Sequence, residues 1–259
     1  MQKTEQKAEI EWRFSDMPVP YSEAVTVMEA RVAAIRDQNA SEMVWLLEHP
    51  PIYTAGTSAR DEDLLTPERF PVYRSGRGGQ YTYHGPGQWV IYLLVDLKRR
   101  RMGVRDLVSL IENAIVALLA EYGIEAAADP KAPGVYVSGD KIASLGLRVR
   151  KGRTYHGLSL NVDMDLQPFQ RINPCGYAGM AMTQLVDQVV GHQDVVTTEP
   201  VVKNIEEILP VRRGDPPVEE HIRQIALEDL RLARLQVITV GEDDTMIVGQ
   251  KDARVIDRV

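Results

Sequence analysis

Cysteine is almost missing from this chain. Cys175 is the single one among 259 residues, so no intramolecular disulfide can form, and the composition suits a reducing compartment. Long apolar runs are missing too. The longest, WVIYLLV (Trp89–Val95), is far too short to cross a bilayer, and the opening MQKTEQKAEIEW is polar, without a signal-peptide pattern. A soluble, cytoplasmic protein without a membrane partner is therefore expected. An excess of positive charge is also lacking: the net charge of −7 argues against a general nucleic-acid binder. No internal repeat and no low-complexity tract is present. What remains is 44% hydrophobic and 26% charged residues, enough for a substantial core in one large domain or one domain with an appendage.

The apolar spacing of Tyr21, Ala24, Val25, Met28, Val32 and Ile35 predicts an amphipathic helix, after a loose tail over residues 1–9. MVWLL (Met43–Leu47) reads as a buried strand, EHPPIYTAG (Glu48–Gly56) as a turn-rich loop, and WVIYLLVDL as a second strand. Gly103 and Gly123 bracket a helix with Leu107, Ile111, Ile115, Leu118 and Leu119 on one face. GVYV, KIASLGLRV and YHGLSLNV follow as strands separated by the turns SGD and RKGR. INPCGYAGMAMTQL reads as a loop leading into a short helix near Met180. Leu209–Pro217 has linker composition, with a helical pattern over Pro217–Leu235 and a hairpin pattern around GEDD beyond it. The division expected is 10–209 for the main domain and 210–259 for an appendage too small to fold alone, which should dock and add stability.

Three places could carry chemistry. RGGQYTYHGPGQ (Arg77–Gln88) holds five glycines or prolines in a short span. It lacks the G-x-G-x-x-G spacing of a dinucleotide site and does not end in G-K-S/T. Its glycines would let an extended ligand lie against backbone amides, with Arg77 and His84 at the two ends; a plain glycine-rich connection between strands is the alternative. Cys175 sits in NPCGYAG, outside any periodic apolar pattern, where a following helix N-terminus would favour thiolate; a small buried hydrophobe is the bland reading. Lys141 falls inside an apolar strand: turned outward it is solvated, turned inward it can take and return protons. Two basic runs, Lys98–Arg101 and Arg148–Arg153, are solvated faces or a landing site for an acidic partner.

EHPPIYTAG, RGGQYTYHGPGQWVIY, APGVYV with KIASLGLRV, YHGLSLNV and INPCGYAG occur in this order and near these separations in the lipoyl(octanoyl) transferases of lipoate synthesis, which the chain resembles over roughly Trp12 to Gly191. The resemblance implies an α/β (α+β) fold, a mixed sheet flanked by helices, shared with biotin and lipoate protein ligases. It implies transfer of an octanoyl group from acyl carrier protein to a lysine on lipoyl domains of 2-oxo acid dehydrogenase complexes and on glycine cleavage H protein. No metal and no cofactor is implied.

In the implied roles Cys175 is the nucleophile and Lys141 lowers its pKa. The acyl-contacting segments are Arg77, Gly78, Gly79, Gln80, Tyr81, Thr82, Tyr83 and His84; Ser144, Leu145 and Gly146; and Gly157, Leu158 and Ser159. Backbone amides near Cys175 and Gly78–Gly79 are the expected oxyanion donors. Competing readings are an ATP-dependent lipoate or biotin ligase, which needs no nucleophilic cysteine, a non-catalytic acyl-carrier-binding module, and a cysteine hydrolase.

Overall fold

The computed structural model describes residues 10–176, 179–189, 203–204, 236–240 and 244–248, with Cys175 and the last two segments described by backbone course alone. In chain order the elements are β1 (Ile10–Phe14), α1 (Tyr21–Arg36), β2 (Glu42–Leu47), β3 (Ile52–Ala55), β4 (Val72–Arg74), β5 (Tyr81–His84) and β6 (Gln88–Leu94). Then come α2 (Val104–Glu121), β7 (Ala127–Ala128), β8 (Gly134–Val137), β9 (Asp140–Arg150), β10 (Arg153–Asn161), α3 (Leu185–Gln188), β11 (Gln236–Val240) and β12 (Asp244–Val248).

The main sheet has seven strands in the order β1-β2-β6-β10-β9-β8-β7, parallel between β1 and β2 and antiparallel elsewhere. Its central strands read as continuous apolar runs because both faces are covered. Met43, Trp45 and Leu47 of β2, with Val90, Tyr92 and Leu94 of β6, point to α1 and pack on Ala24, Met28, Val32 and Ile35. The alternate residues Val44, Leu46, Ile91 and Leu93 point the other way, onto Leu107, Ile111, Ile115 and Leu118 of α2. A period of two in the strands and of 3.6 in the helices thus meet in two layers of core.

Both turns flanking β9 run as the sequence indicates. Ser138 and Gly139, then Lys151 and Gly152, all take positive φ, the pairing of a tight turn between antiparallel strands.

Two expectations fail. EHPPIYTAG and the glycine-rich stretch are not simply loops, since β3 and β5 lie within them and pair, Ile52 opposite His84 and Ala55 opposite Tyr81, with β4 on the other side of β3. Their partners are distant in sequence, and a small, mostly aromatic core of Tyr53, Tyr81, Tyr83 and Phe169, with Ile172, drives the pairing. Nor does a helix begin near Met180. Ala181–Thr183 instead lies parallel to β9, with the Lys141 amide donating to Ala181 and the Thr183 amide donating to Lys141, both at 3.0 Å.

The chain divides into two compact units, residues 1–196 with 200–213 and residues 197–199 with 214–259. In the second, β11 pairs antiparallel with β12 around GEDD. The expected tail over 1–9, linker over 209–217 and helix over 217–235 lie outside the described residues.

Candidate active site

The glycine-rich stretch folds around its own arginine. Arg77 is buried, and its guanidinium donates to the Thr54 carbonyl and hydroxyl (2.8 Å each), the Gly78 carbonyl (2.9 Å) and the Gln80 carbonyl (2.9 Å). This cation closes the loop on β3. Gly56 must be glycine here, because a Cβ would overlap the Gly79 carbonyl.

The loop forms one wall of a pocket. Arg77, Gly79, Gln80, Tyr81, Thr82 and His84 face Ser144, Leu145 and Gly146 of β9 and Gly157, Leu158 and Ser159 of β10. Three separated stretches singled out in the sequence are therefore brought together. Two of their residues are turned elsewhere. Tyr83 packs in the small-sheet core against Tyr53, Phe70 and Phe169, where burial pushes its hydroxyl up to about 12. Gly78 donates its amide to the Leu147 carbonyl (3.1 Å), so it has no N–H to offer an oxyanion.

Sequence reasoning missed Tyr21, Val90, Tyr92, His156 and Pro174, which also line the pocket. Tyr21 and Tyr92 read as core residues of a helix and a strand, and they are; the pocket lies where that core ends. His156 had a subtler signal. Neighbouring strand residues should point to opposite faces, yet the His156 ring stacks on that of Tyr155 (5.5 Å, 19°). Its φ of 63° swings the ring across, and its amide leaves the sheet ladder to meet Met28 Sδ at 3.4 Å. The Thr154 hydroxyl then fills the gap by donating to the Leu93 carbonyl (2.7 Å). Such strain persists only where the surroundings hold it.

With His49 and His84, His156 forms a ring cluster, of which His84 and His156 line the pocket. Centroids of Tyr21 lie 5.1, 6.0 and 6.4 Å from those of His49, His84 and His156. The hydrogen bonds assign the protons. His49 Nδ1 donates to the Val19 carbonyl and its Nε2 accepts from the Tyr92 hydroxyl, both at 2.6 Å. Gln88 donates its amide N–H to the Tyr83 carbonyl and to Asn161 Oδ1, so its Oε1 faces His84 and accepts from Nδ1 at 2.7 Å. All three rings are neutral. Burial lowers His49 to about 4 and His156 to about 3, the latter helped by the charges of Arg77 and Arg148, and it holds His84 well below its usual range.

The turn that carries the cysteine also borders the pocket. Pro174 lines the pocket, Pro174–Gly176 is one turn of 3-10 helix, and Gly176 abuts the Gln80 side chain. The α-helix that should favour a thiolate is not at hand. The next described one is α3, which starts at Leu185 and has four residues. Lys141, by contrast, points inward: it is 1% exposed, its Nζ donates to the Pro133 carbonyl (2.9 Å), and it stands 5.2 Å from the Tyr136 ring centre. Gly134 makes room for it, since a Cβ there would overlap Lys141 Cε. Among the described residues no cluster of His, Cys, Asp and Glu could hold a metal ion, and no helix is long and apolar enough to cross a membrane.

The two basic runs meet in space. The Leu97 amide donates to the Gly152 carbonyl (2.9 Å), the Lys98 stem packs on Gly152, and Arg153 pairs with Asp96 at 2.9 Å. Arg100 is bound to the fully buried Glu42 at 2.6 Å and serves the fold. Lys98, Arg99, Arg150 and Lys151 are exposed. This corner lies at the opposite end of β9 from Lys141, roughly 30 Å away along the strand.

Residues 20–209 match the lipoyl protein ligase A/B catalytic domain. Among curated proteins, an octanoyltransferase of Pseudomonas savastanoi pv. phaseolicola is 63% identical over 153 residues, 59% of this chain and 70% of that one. An octanoyltransferase of Parvibaculum lavamentivorans is 54% identical over 190 residues, 70% of this chain and 84% of its own. Among solved structures, a bi-partite lipoate protein ligase with its E2 lipoyl domain from Thermoplasma acidophilum superposes with a TM-score of 0.61 at 15% identity, over 86% of this chain and 92% of that one. A lipoate-protein ligase A bound with ATP gives 0.59 at 16% identity, over 84% and 93%. At these identities the likeness is one of fold.

Proposed function

The chain belongs to the lipoyl protein ligase A/B catalytic domain family, and from that premise we propose that it is an octanoyltransferase. In this reading it moves an octanoyl group from acyl carrier protein to a lysine of a lipoyl domain or of glycine cleavage H protein, through a thioester on Cys175. The observation that supports it most is the pocket itself. Three separated sequence stretches line one pocket, together with His84 and His156 of an uncharged ring cluster and with Pro174 of the Cys175 turn.

The chemistry follows from the groups. The Cys175 thiolate attacks the donor thioester carbon, the carbonyl electron pair moves to oxygen, and collapse expels the carrier thiolate. The exchange replaces one thioester by another at little cost. The acceptor lysine amine then attacks the Cys175 thioester, the amide forms, and the Cys175 thiolate leaves. The proton lost by the amine passes to Lys141 and on to a departing sulfur. The donor brings its own activation, so no nucleotide is consumed. Acyl carrier protein docks by charge on the corner formed by Lys98, Arg99, Arg150 and Lys151, and reaches along the sheet to the turn.

The deciding experiment is an intact mass spectrum after incubation with octanoyl-acyl carrier protein, with and without a lipoyl domain and ATP. The protein should gain one octanoyl group that hydroxylamine removes, and pass it to the lipoyl domain without ATP. Full transfer by Cys175→Ser would sink the thioester; transfer only from free octanoate with ATP would mark a ligase. An acylated enzyme that releases octanoate whether or not the lipoyl domain is present would mark a hydrolase.

A further inference from the structure

The backbone of Lys141 is locked to Ala181 and Thr183, while its side chain runs inward to the Pro133 carbonyl. A lysine carries its nitrogen on a flexible four-carbon stem, and proton transfer needs that nitrogen in one place. What lies beneath the stem therefore matters. A Cβ on Gly134 would overlap Lys141 Cε and stand 2.9 Å from Nζ, so the bare Gly134 backbone, at φ 145°, is the floor on which the lysine rests.

That floor has supports of its own. The Tyr136 hydroxyl donates to the Ala132 carbonyl (2.8 Å), and Glu112 Oε1 accepts from the Gly134 amide (3.0 Å). Two side chains thus clasp the residues on either side of Pro133, whose carbonyl accepts from Lys141 Nζ at 2.9 Å. Tyr136 comes from β8 itself. Glu112 comes from α2, twenty-two positions before Gly134, and it breaks the pattern of that helix. It is 9% exposed, and every other residue that α2 buries is apolar. Burying a carboxylate is costly where a neutral acceptor is not. The result is a charge-assisted hydrogen bond, roughly twice as strong as a neutral one, to the backbone directly under Lys141.

We propose that Glu112 is a positioning residue for the transfer reaction. By holding the Gly134 amide from α2 it fixes the Pro133–Gly134 floor, and so the place of the Lys141 nitrogen that takes the proton of the acceptor amine. Glu112 does not line the pocket and acts through the lysine. The assignment rests on the octanoyltransferase reading and on the part given there to Lys141.

The test is a double-mutant cycle over Glu112→Ala and Lys141→Ala, read as single-turnover transfer of octanoyl to the lipoyl domain, with melting temperatures alongside. A misplacement of about 1 Å costs up to roughly 100-fold, so Glu112→Ala should slow transfer roughly 10- to 100-fold when Lys141 is present. With Lys141→Ala, where no lysine is left to place, it should slow transfer by less than about threefold, while the fall in melting temperature is the same in both backgrounds. Glu112→Gln keeps an acceptor for the Gly134 amide and should recover most of the rate. Equal slowing in both backgrounds would overturn the proposal. So would Glu112→Gln as slow as Glu112→Ala, or Glu112→Ala as fast as wild type. If Glu112→Ala does not fold, Glu112→Asp, which withdraws the acceptor by one methylene, takes its place in the cycle. Pulse acetylation of the free enzyme, mapped by peptide mass, reads the lysine without any substrate. Lys141 should label several-fold faster in Glu112→Ala, with the exposed Lys98 and Lys151 unchanged. Unchanged labelling of Lys141 would overturn the placement by Glu112. Faster labelling in a protein whose wild type takes no octanoyl group would uphold the placement and sink the functional reading.

Discussion

Three buried neutral histidines make the fold itself a pH sensor. The perturbation is acidification from pH 7 to pH 5. In the unfolded chain a histidine titrates near 6.5, while His49 and His156 in the folded protein do so at about 4 and about 3, with His84 well below its usual range. The folded pKa of a base is depressed, so the unfolded state binds more protons between these values. Stability is complete above pH 6.5 and falls as the pH drops from there toward 4. The slope approaches 1.4 kcal/mol per pH unit per histidine, or about 2 kcal/mol each between pH 7 and 5. His49 and His156 together remove about 4 kcal/mol, close to the whole stability of a marginal domain, and His84 acts in the same direction. Carboxylates with lowered pKa, such as Asp37 and Glu121, act below this window. Urea denaturation followed by circular dichroism at pH 7, 6 and 5 reads the loss directly. His156→Asn keeps the positive φ tolerable and removes one titrating ring, so it should recover about 2 kcal/mol of the difference. A wild-type loss below about 2 kcal/mol, or an identical loss in the variant, would refute the reasoning.

Lys141→Ala should slow transfer at least roughly 100-fold, and shift the pH dependence of Cys175 alkylation upward; identical alkylation profiles would leave Lys141 outside the chemistry. Gly157→Ala places a Cβ inside the Ile91 carbonyl of the neighbouring strand, backbone that cannot yield, and should cost at least about 2 kcal/mol in denaturation or prevent folding. Reversing charge at the exposed Arg99 and Arg150 should raise KM for acyl-carrier-protein donors, more so at low salt, and spare a small octanoyl thioester. Arg100 must be left alone in that experiment, since its loss strands buried Glu42 at a cost of about 3–5 kcal/mol.

The helices and the main sheet were legible because their signal is local. α1 and α2 repeat apolar residues every three or four positions, and each turn beside β9 announces itself by a glycine. The small sheet was not, because β3 and β5 are four residues each and owe their pairing to apolar residues as distant as Phe169 and Ile172. The helix expected near Met180 fails for a similar reason, as Ala181–Thr183 exchanges backbone hydrogen bonds with Lys141, some forty positions earlier. In the site, the glycine-rich stretch with its arginine and histidine marked one wall of the pocket, and Ser144–Gly146 and Gly157–Ser159 were expected only from the family resemblance. His156 went unseen because only its backbone angle, which no residue spacing encodes, turns it into the slot.

Arg77 illustrates how residue type misleads about role. An arginine in a glycine-rich stretch suggests a grip on an anionic ligand, yet its donors are consumed by the carbonyls and hydroxyl around it. That commitment has a consequence for what the pocket accepts. Apart from Arg77, whose N–H donors are taken up by the loop, the lining is apolar or polar but uncharged, with its histidines held neutral by burial, so no other charged group there can pair with a charged chain end. Bringing a carboxylate into such a place costs several kcal/mol per ion, whereas each buried methylene contributes about 0.8 kcal/mol. On the proposed reading, an uncharged aliphatic chain should therefore bind better than one ending in a carboxylate, whose charge costs what its methylenes gain.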